Sequence, residues 1–313
     1  MTQQFEDISR QQIKALDAIL GKPFKVLDDG FIRVIDYMGS DSAIVQAARV
    51  SYGAGTTKVR QDRLLIRYLM RHHHTSPFEM CEIKLHVRAP MDCWRQWIRH
   101  RTANINEYST RYSIAIDASQ TTPPNAWRLQ AKRNIQGSEG LLDKKQGLLF
   151  TAGEKELQDM ARKAYNDRLE AGIAREQARK DLPLSTYTEA YWKIDLNNLL
   201  NFLHLRMDMK AQAEIRAYAK TIGEKIVARW CPLVWEAFND YVINGLTLSM
   251  AEQKLLAVIA AGKSAAAIKL ADEMEWLNKK DGKLKMHHER AEFEDKCAQM
   301  GIQVPWLKEN SGK

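Results

Sequence analysis

Apolar positions along the chain fall into two rhythms, one of helical and one of strand period. Phe5, Ile8, Ile13, Leu16 and Leu20 recur at roughly helical spacing. The segment "FKVLDDGFIRVIDYM" reads as two short strands about an Asp-Asp-Gly turn. "SDSAIVQAARVSY" opens on two capping residues, Ser40 and Asp41, and continues as a helix. "VRQDRLLIRYLMRHH" predicts another helix, ended near "TSPFE" because Pro77 disfavours a helical residue before it. In "EIKLHVRAP" the alternation of Ile83, Leu85 and Val87 with Lys84, His86 and Arg88 predicts a strand with one wet face. Pro90 suits the first turn of a helix through "MDCWRQWIRHR".

From about Gly153 the spacing is mostly helical. "LNNLLNFLHLRMDMKAQAEIRAYAKTIGEKIVARW" predicts two long helices, and Pro232 suits the start of a further one. After Gly245 the character changes. Ser249 and Glu252 form a capping-box pattern ahead of an Ala-rich helix ending at Ala261, and two more amphipathic pieces follow. Residues 1–245 are thus expected to form the main domain and 246–313 a helical extension with no evident chemistry. Short amphipathic helices are marginal alone, so the extension is expected to need a partner surface.

Composition narrows the function classes. The 313 residues are 45% hydrophobic, enough for a large core, and no run of 18 apolar residues predicts a membrane span. The polar N-terminus reads as no secretory leader. Cys81, Cys93, Cys231 and Cys297 are scattered without a C-x-x-C pair, which suits reduced thiols in a cytoplasmic protein better than disulfides or zinc. A net charge of +8 favours anionic partners, among them nucleic acid, nucleotides and polyglutamylated cofactors.

Three features compete as chemistry. His72-His73-His74 resembles a metal tract, but adjacent side chains diverge and no other ligand set accompanies them, so a basic helix end is the simpler reading and no metal is expected. The cysteines lie in apolar settings; Cys231, near an Arg in "RWCPLVW", is the best nucleophile among them and still reads as core. The third feature is "RHRTANINEYSTRYS", from Arg99 to Ser113, directly after the apolar "CWRQWI". Helical spacing would put Gln96, Arg99 and His100 on one face, and Glu107, Ser109 and Arg111 alternate along an extended loop. Arg and Ser suit a phosphate, while Gln and Asn can read a base edge. A small anionic ligand fits this mixture better than a solvated surface or an RNA-binding arm.

Arg99-His100-Arg101, seven residues, then Ser109 resembles the R-H-R-x7-S signature of the flavin-dependent thymidylate synthases. "ARVSYG", "HTSPFE", "WRLQAKRNIQGS", "AREQARKDLPLSTYTEAYW" and "NNLLNFLHLRMDMKAQAEIRAYA" resemble further blocks of that family, in its order, over roughly residues 30–245. The resemblance implies an α/β (α+β) fold, a twisted antiparallel sheet wrapped by helices, and a homotetramer with active sites between subunits. It implies conversion of dUMP to dTMP in the cytoplasm, with methylenetetrahydrofolate giving the carbon and FAD, reduced by NADPH, giving the hydride. No cysteine nucleophile, nucleic acid or membrane takes part.

The same resemblance implies residue roles. Gln96, Trp97, Ile98, Arg99, Glu107, Tyr108, Ser109, Thr110, Arg111, Arg179 and Arg206 would hold dUMP. Arg206 would be catalytic, stabilising negative charge at the uracil edge. Ser51, His74, Ser76, Glu79, Arg99, His100, Arg101, Glu107, Asp195, Asn197 and Asn201 would contact FAD, with Ser51 and His74 on the flavin or folate side. Met80 stands where some members have His, and Asp195 where some have Asn. The extension past Gly245 is longer than in the smallest members. Two other classes stay open: a nucleic-acid-binding protein, and a related pyrimidine-nucleotide C5 alkylase such as a hydroxymethylase or UMP methylase.

Overall fold

The computed structural model describes residues 10–50, 59–131, 137–280 and 283–308. They gather into two compact units, Met1–Ile243 and Asn244–Lys313. A short helix α1 (Lys14–Asp17) precedes the hairpin of β1 (Phe24–Val26) and β2 (Gly30–Met38). Sequence spacing predicts a longer helix here; Ile13 and Leu20 lie beyond the ends of α1, and Phe5 and Ile8 fall outside the described residues. Helices α2 (Asp41–Val50), α3 (Val59–Arg71) and α4 (Ser76–Glu79) follow, then β3 (Glu82–Pro90), α5 (Met91–Trp97) and β4 (Asn104–Glu107). A small hairpin, β5 (Arg128–Gln130) with β6 (Ser138–Leu141), leads to the long α6 (Lys144–Glu170) and to α7 (Arg175–Ala178). The unit closes with β7 (Tyr187–Asp195), α8 (Leu196–Met207), α9 (Ala213–Thr221), α10 (Ala228–Trp230) and α11 (Pro232–Phe238).

The sheet runs β1-β2-β3-β7-β4 and is antiparallel throughout. β3 and β7 pair over their full length, from Glu82 opposite Asp195 to Pro90 opposite Tyr187. After Gly153 the described chain is mostly helical, as expected, but β7 is a strand that this reading passes over. "YTEAYWKID" has period two: Ala190, Trp192 and Ile194 are buried, while Glu189, Tyr191 and Lys193 turn away. α6 begins well before Gly153, where Asp143 accepts hydrogen bonds from the backbone N–H groups of Lys145 and Gln146.

The buried face of the sheet supplies Ile83, Leu85, Val87 and Trp192 to a core completed by α5, α8 and α9. Trp97 sits at its centre, with ring centroids 5.2 Å from Trp192, 4.8 Å from Phe202 and 5.7 Å from Tyr218. Cys93, Trp94 and Trp97 of "CWRQWI" are therefore core, as the pattern predicts, while Arg95 and Ile98 are exposed. The opposite face carries a polar ladder: His86 lies 2.7 Å from a Glu189 oxygen, and Arg88 pairs with Glu189 and Asp29. Asp41 has a different task from the one its position suggests. Its carboxylate accepts from the backbone N–H groups of Leu233 and Val234, so it caps α11 across the fold. Burial raises its pKa to about 6.

The second unit contains α12 (Met250–Ala260), α13 (Ser264–Glu273), the hairpin of β8 (Lys279–Lys280) and β9 (Lys283–Leu284), α14 (His288–Gln299) and α15 (Pro305–Lys308). The capping box forms, with Ser249 and Glu252 satisfying each other's backbone N–H groups. Leu255, Ala267, Ala271, Trp276, Phe293, Cys297, Val304 and Trp306 build a core of their own. These helices thus serve as one another's partner surface, where the sequence reading expects an outside one. Among the described residues no helix is long and apolar enough to cross a membrane.

Candidate active site

The histidine tract closes α3. His73 has φ +54°, His74 N–H reaches the Leu69 carbonyl and His73 N–H reaches the Met70 carbonyl, which is a Schellman turn with His73 in the left-handed position. Among the described residues no group of His, Cys, Asp or Glu is arranged to hold a metal. The turn also sends His74 into a cavity of about 400 Å³ that it shares with Ser76, Met80, Tyr68 and an apolar wall from α2 and α3. Glu79 lies exposed on the same short helix, and Ser51 lies outside the described residues.

The arginine-rich stretch divides between two places. α5 stops at Trp97, so Gln96, Arg99 and His100 do not share one continuous helical face. Arg99 N–H bonds the Gln96 carbonyl and His100 N–H bonds that of Trp97, a tight turn that lets the chain leave the helix for the sheet edge at β4. Gln96 is held instead by Gln212, which also donates to Asp92. Trp97 belongs to the core and its ring is closed to solvent, while Ile98 is partly exposed.

Arg99, His100 and Arg101 line a cavity of about 310 Å³ together with Asn198, Asn201, Leu205 and Arg206 of α8. Asn198, Asn201 and Leu205 follow at i, i+3, i+7, one helical face. Asn197 is not part of that lining; Asn198 takes its place, a residue the sequence reading passes over although this spacing marks it. Asp195 is the N-cap of α8 and accepts from both the backbone and the side-chain amide of Asn198. It therefore acts on the cavity wall by orienting Asn198.

The electrostatics of this cavity are uneven. Arg206 Nε–H donates to His100 Nε2 at 3.0 Å. Burial and then the Arg206 charge lower the His100 pKa to about 4, so the imidazole is neutral near pH 7 and accepts this bond. Burial also pulls the Arg206 pKa down. A partly desolvated guanidinium is a strong draw for an anion. Among the described residues neither the Arg99 nor the Arg101 guanidinium has a protein partner.

The second place is the turn after β4. Thr188 Oγ1 donates to Glu107 at 2.9 Å, and Tyr108 N–H bonds the Glu189 carbonyl, so β7 fixes where the turn begins. Ser109 Oγ accepts from Arg111 N–H at 3.3 Å, and the Ser109 carbonyl accepts from Tyr112 and Ser113. Tyr108 OH closes the loop on the Ile114 carbonyl. Three contacts from around α7 hold the turn: Arg179 to Thr110 Oγ1 at 2.6 Å, Arg175 to the Tyr112 carbonyl at 2.6 Å, and Glu176 to Arg111 at 3.3 Å. The sequence reading singles out neither Arg175 nor Glu176.

The chain thus offers two cationic groups, one around Arg206 and one around Arg111, and among the described residues no hydrogen bond or ion pair joins them. The four cysteines are buried. Burial lifts the thiol pKa of Cys93 and Cys231 well above the ordinary value, so both are protonated.

Residues 33–233 match the family described as thymidylate synthase complementing protein. The flavin-dependent thymidylate synthase of Wolbachia pipientis wMel is 49% identical over 259 residues, 83% of this chain and 91% of that protein. That of a Thermus thermophilus strain is 54% identical over 231 residues, 74% of this chain and 83% of that protein. Among solved structures, the UMP/dUMP methylase PolB from Streptomyces cacaoi bound with 5-Br UMP is similar at a TM-score of 0.63 and 32% identity, covering 70% of this chain and 97% of that one.

Proposed function

The chain belongs to the flavin-dependent thymidylate synthase family, and from that premise we propose that it reductively methylates dUMP to dTMP, with FAD reduced by NADPH and methylenetetrahydrofolate as carbon donor. The observation that carries the reading is the cavity in which Arg99, Arg101, Asn198, Asn201 and the half-buried Arg206 converge. Its donors fit a flavin nucleotide: guanidinium groups without protein partners suit a diphosphate, and carboxamides suit ribose or ring edges. When bound there, the flavin supplies the hydride.

The remaining work falls to side chains of this chain. Arg206 holds a positive charge at the uracil edge and stabilises negative charge developing on the base, which makes C5 a carbon nucleophile. Neutral His100 accepts from Arg206 Nε and fixes the direction of the guanidinium. Ser109, Arg111 and Arg179 hold the nucleotide phosphate. All four cysteines are buried, and Cys93 and Cys231 are held protonated, which supports a mechanism without covalent attack on the base. The cavity at His74 and Ser76 is assigned to the flavin and folate side.

We further propose a homotetramer that brings the Arg111 group of one subunit to the Arg206 group of another. Support comes from α6, where Leu149, Phe150, Leu157 and Met160 lie within one arc of the helix and are each more than half exposed. Free buried thiols support a cytoplasmic setting. The likeness to PolB supports a second reading, methylation of UMP. Absorbance of the purified protein is the first test. A flavin band that shifts on adding dUMP is expected; a colourless protein that binds DNA in a salt-sensitive way would overturn the reading.

A further inference from the structure

Among the described residues, Glu176 stands among cations with no other hydrogen-bond or ion-pair partner than Arg111. Its Oε2 lies 3.3 Å from Arg111 Nε, and both side chains are more than half exposed. Arg175 and Arg179, on either side in sequence, are committed to the turn through the Tyr112 carbonyl and Thr110 Oγ1. The neighbouring acid, Asp181, is taken up by Arg168 at 2.5 Å. Arg111, Arg175 and Arg179 thus gather at the Ser109–Arg111 turn, and Glu176 is the carboxylate paired with Arg111, the turn's own guanidinium.

Resting on the reading of this turn as the phosphate seat, we propose that Glu176 sets its charge limit, occupying Arg111 until a monophosphate displaces it and penalising nucleotides that carry more phosphate. The carboxylate acts in two ways. It competes for Arg111, which weakens every anion. It also repels in proportion to the ligand's charge, which weakens a nucleoside triphosphate more than a monophosphate. Exposed ion pairs are worth little, so the effect on the monophosphate is modest. Salt screens this repulsion and weakens the effect.

The test is equilibrium binding of dUMP and dUTP to the full-length wild type, Glu176→Gln and Glu176→Ala at low and high ionic strength. Neutralising Glu176 is expected to tighten dUMP by about two- to fivefold. dUTP tightens by a larger factor, so the preference for dUMP narrows, and both gains shrink in high salt. Weaker dUMP binding in both variants would overturn the proposal and make Glu176 a residue that positions Arg111. Equal changes for dUMP and dUTP, or none, would overturn it as well. The arms separate the two readings: a wild type that binds neither nucleotide fails the phosphate seat itself, whereas a wild type that binds dUMP with variants behaving identically fails only the role of Glu176.

Discussion

At the scale of single residues, the arrangement around Arg206 makes the sharpest demand. Replacing it with Ala removes the charge proposed for the uracil edge and leaves Arg99, Arg101 and the carboxamides in place. Arg206→Ala is expected to abolish dTMP formation while NADPH oxidation persists at least in part; equal loss of both half-reactions would make Arg206 mainly a flavin ligand. His100→Asn keeps a neutral acceptor toward Arg206 Nε, whereas His100→Leu removes it, so Asn is expected to retain more turnover than Leu. The imidazole, with its pKa lowered to about 4, adds no ionisation between pH 5 and 8. Replacing all four cysteines by Ser or Ala, if the chain stays folded, should leave measurable activity. Most of these residues are legible in the sequence because motif spacing names them. Asn198 is marked by its spacing with Asn201 and Leu205 and is passed over, whereas Arg175 and Glu176 are not legible, for a physical reason: their importance comes from the Tyr112 carbonyl and the Arg111 side chain, more than sixty residues away in sequence.

At the scale of elements, two helix ends carry testable stability. His73 occupies a left-handed position that favours glycine, so His73→Gly is expected to stabilise the protein by about 0.5–1 kcal/mol in a denaturant titration. A loss of stability would show that the His72 and His74 contacts with Tyr68 depend on His73 itself. Asp41, partly buried, caps α11 across the fold, and its folded pKa of about 6 exceeds the ordinary 3.8. The folded state therefore binds the extra proton between those values, and this group's contribution to stability falls as pH rises from 3.8 to 6. Asp41→Asn keeps a capping acceptor and should remove that slope; an unchanged slope would assign it elsewhere. The hairpin, β3 and the α8–α10 run are visible in their periodicity. β7 is as long as β3 but less visible, because Ala190 on its buried face and Tyr191 on its exposed face blur the alternation, and strand pairing with β3 decides its state. The early end of α5 is equally hidden, since the sheet edge at β4 dictates it.

At the scale of the whole molecule, two cores predict separable stabilities. Phe293 is fully buried in the second unit, so Phe293→Ala should cost roughly 3–5 kcal/mol there. Dissociation constants for dUMP and flavin should stay within a few-fold, as measured by titration; lost dUMP binding would place the extension in the active site. The boundary near residue 244 is legible from the change in composition and the capping box, while the self-contained core is not, because single amphipathic stretches do not reveal that they pack on one another. The central claim concerns the reaction, and product analysis tests it most directly. Flavin-loaded protein is given NADPH, methylenetetrahydrofolate and either dUMP or UMP, and the nucleotide is analysed by mass spectrometry. The account predicts that dUMP exchanges one hydrogen for a methyl group and that UMP reacts far more slowly. A hydroxymethyl product, faster conversion of UMP, or no product from the flavin-loaded protein would contradict it.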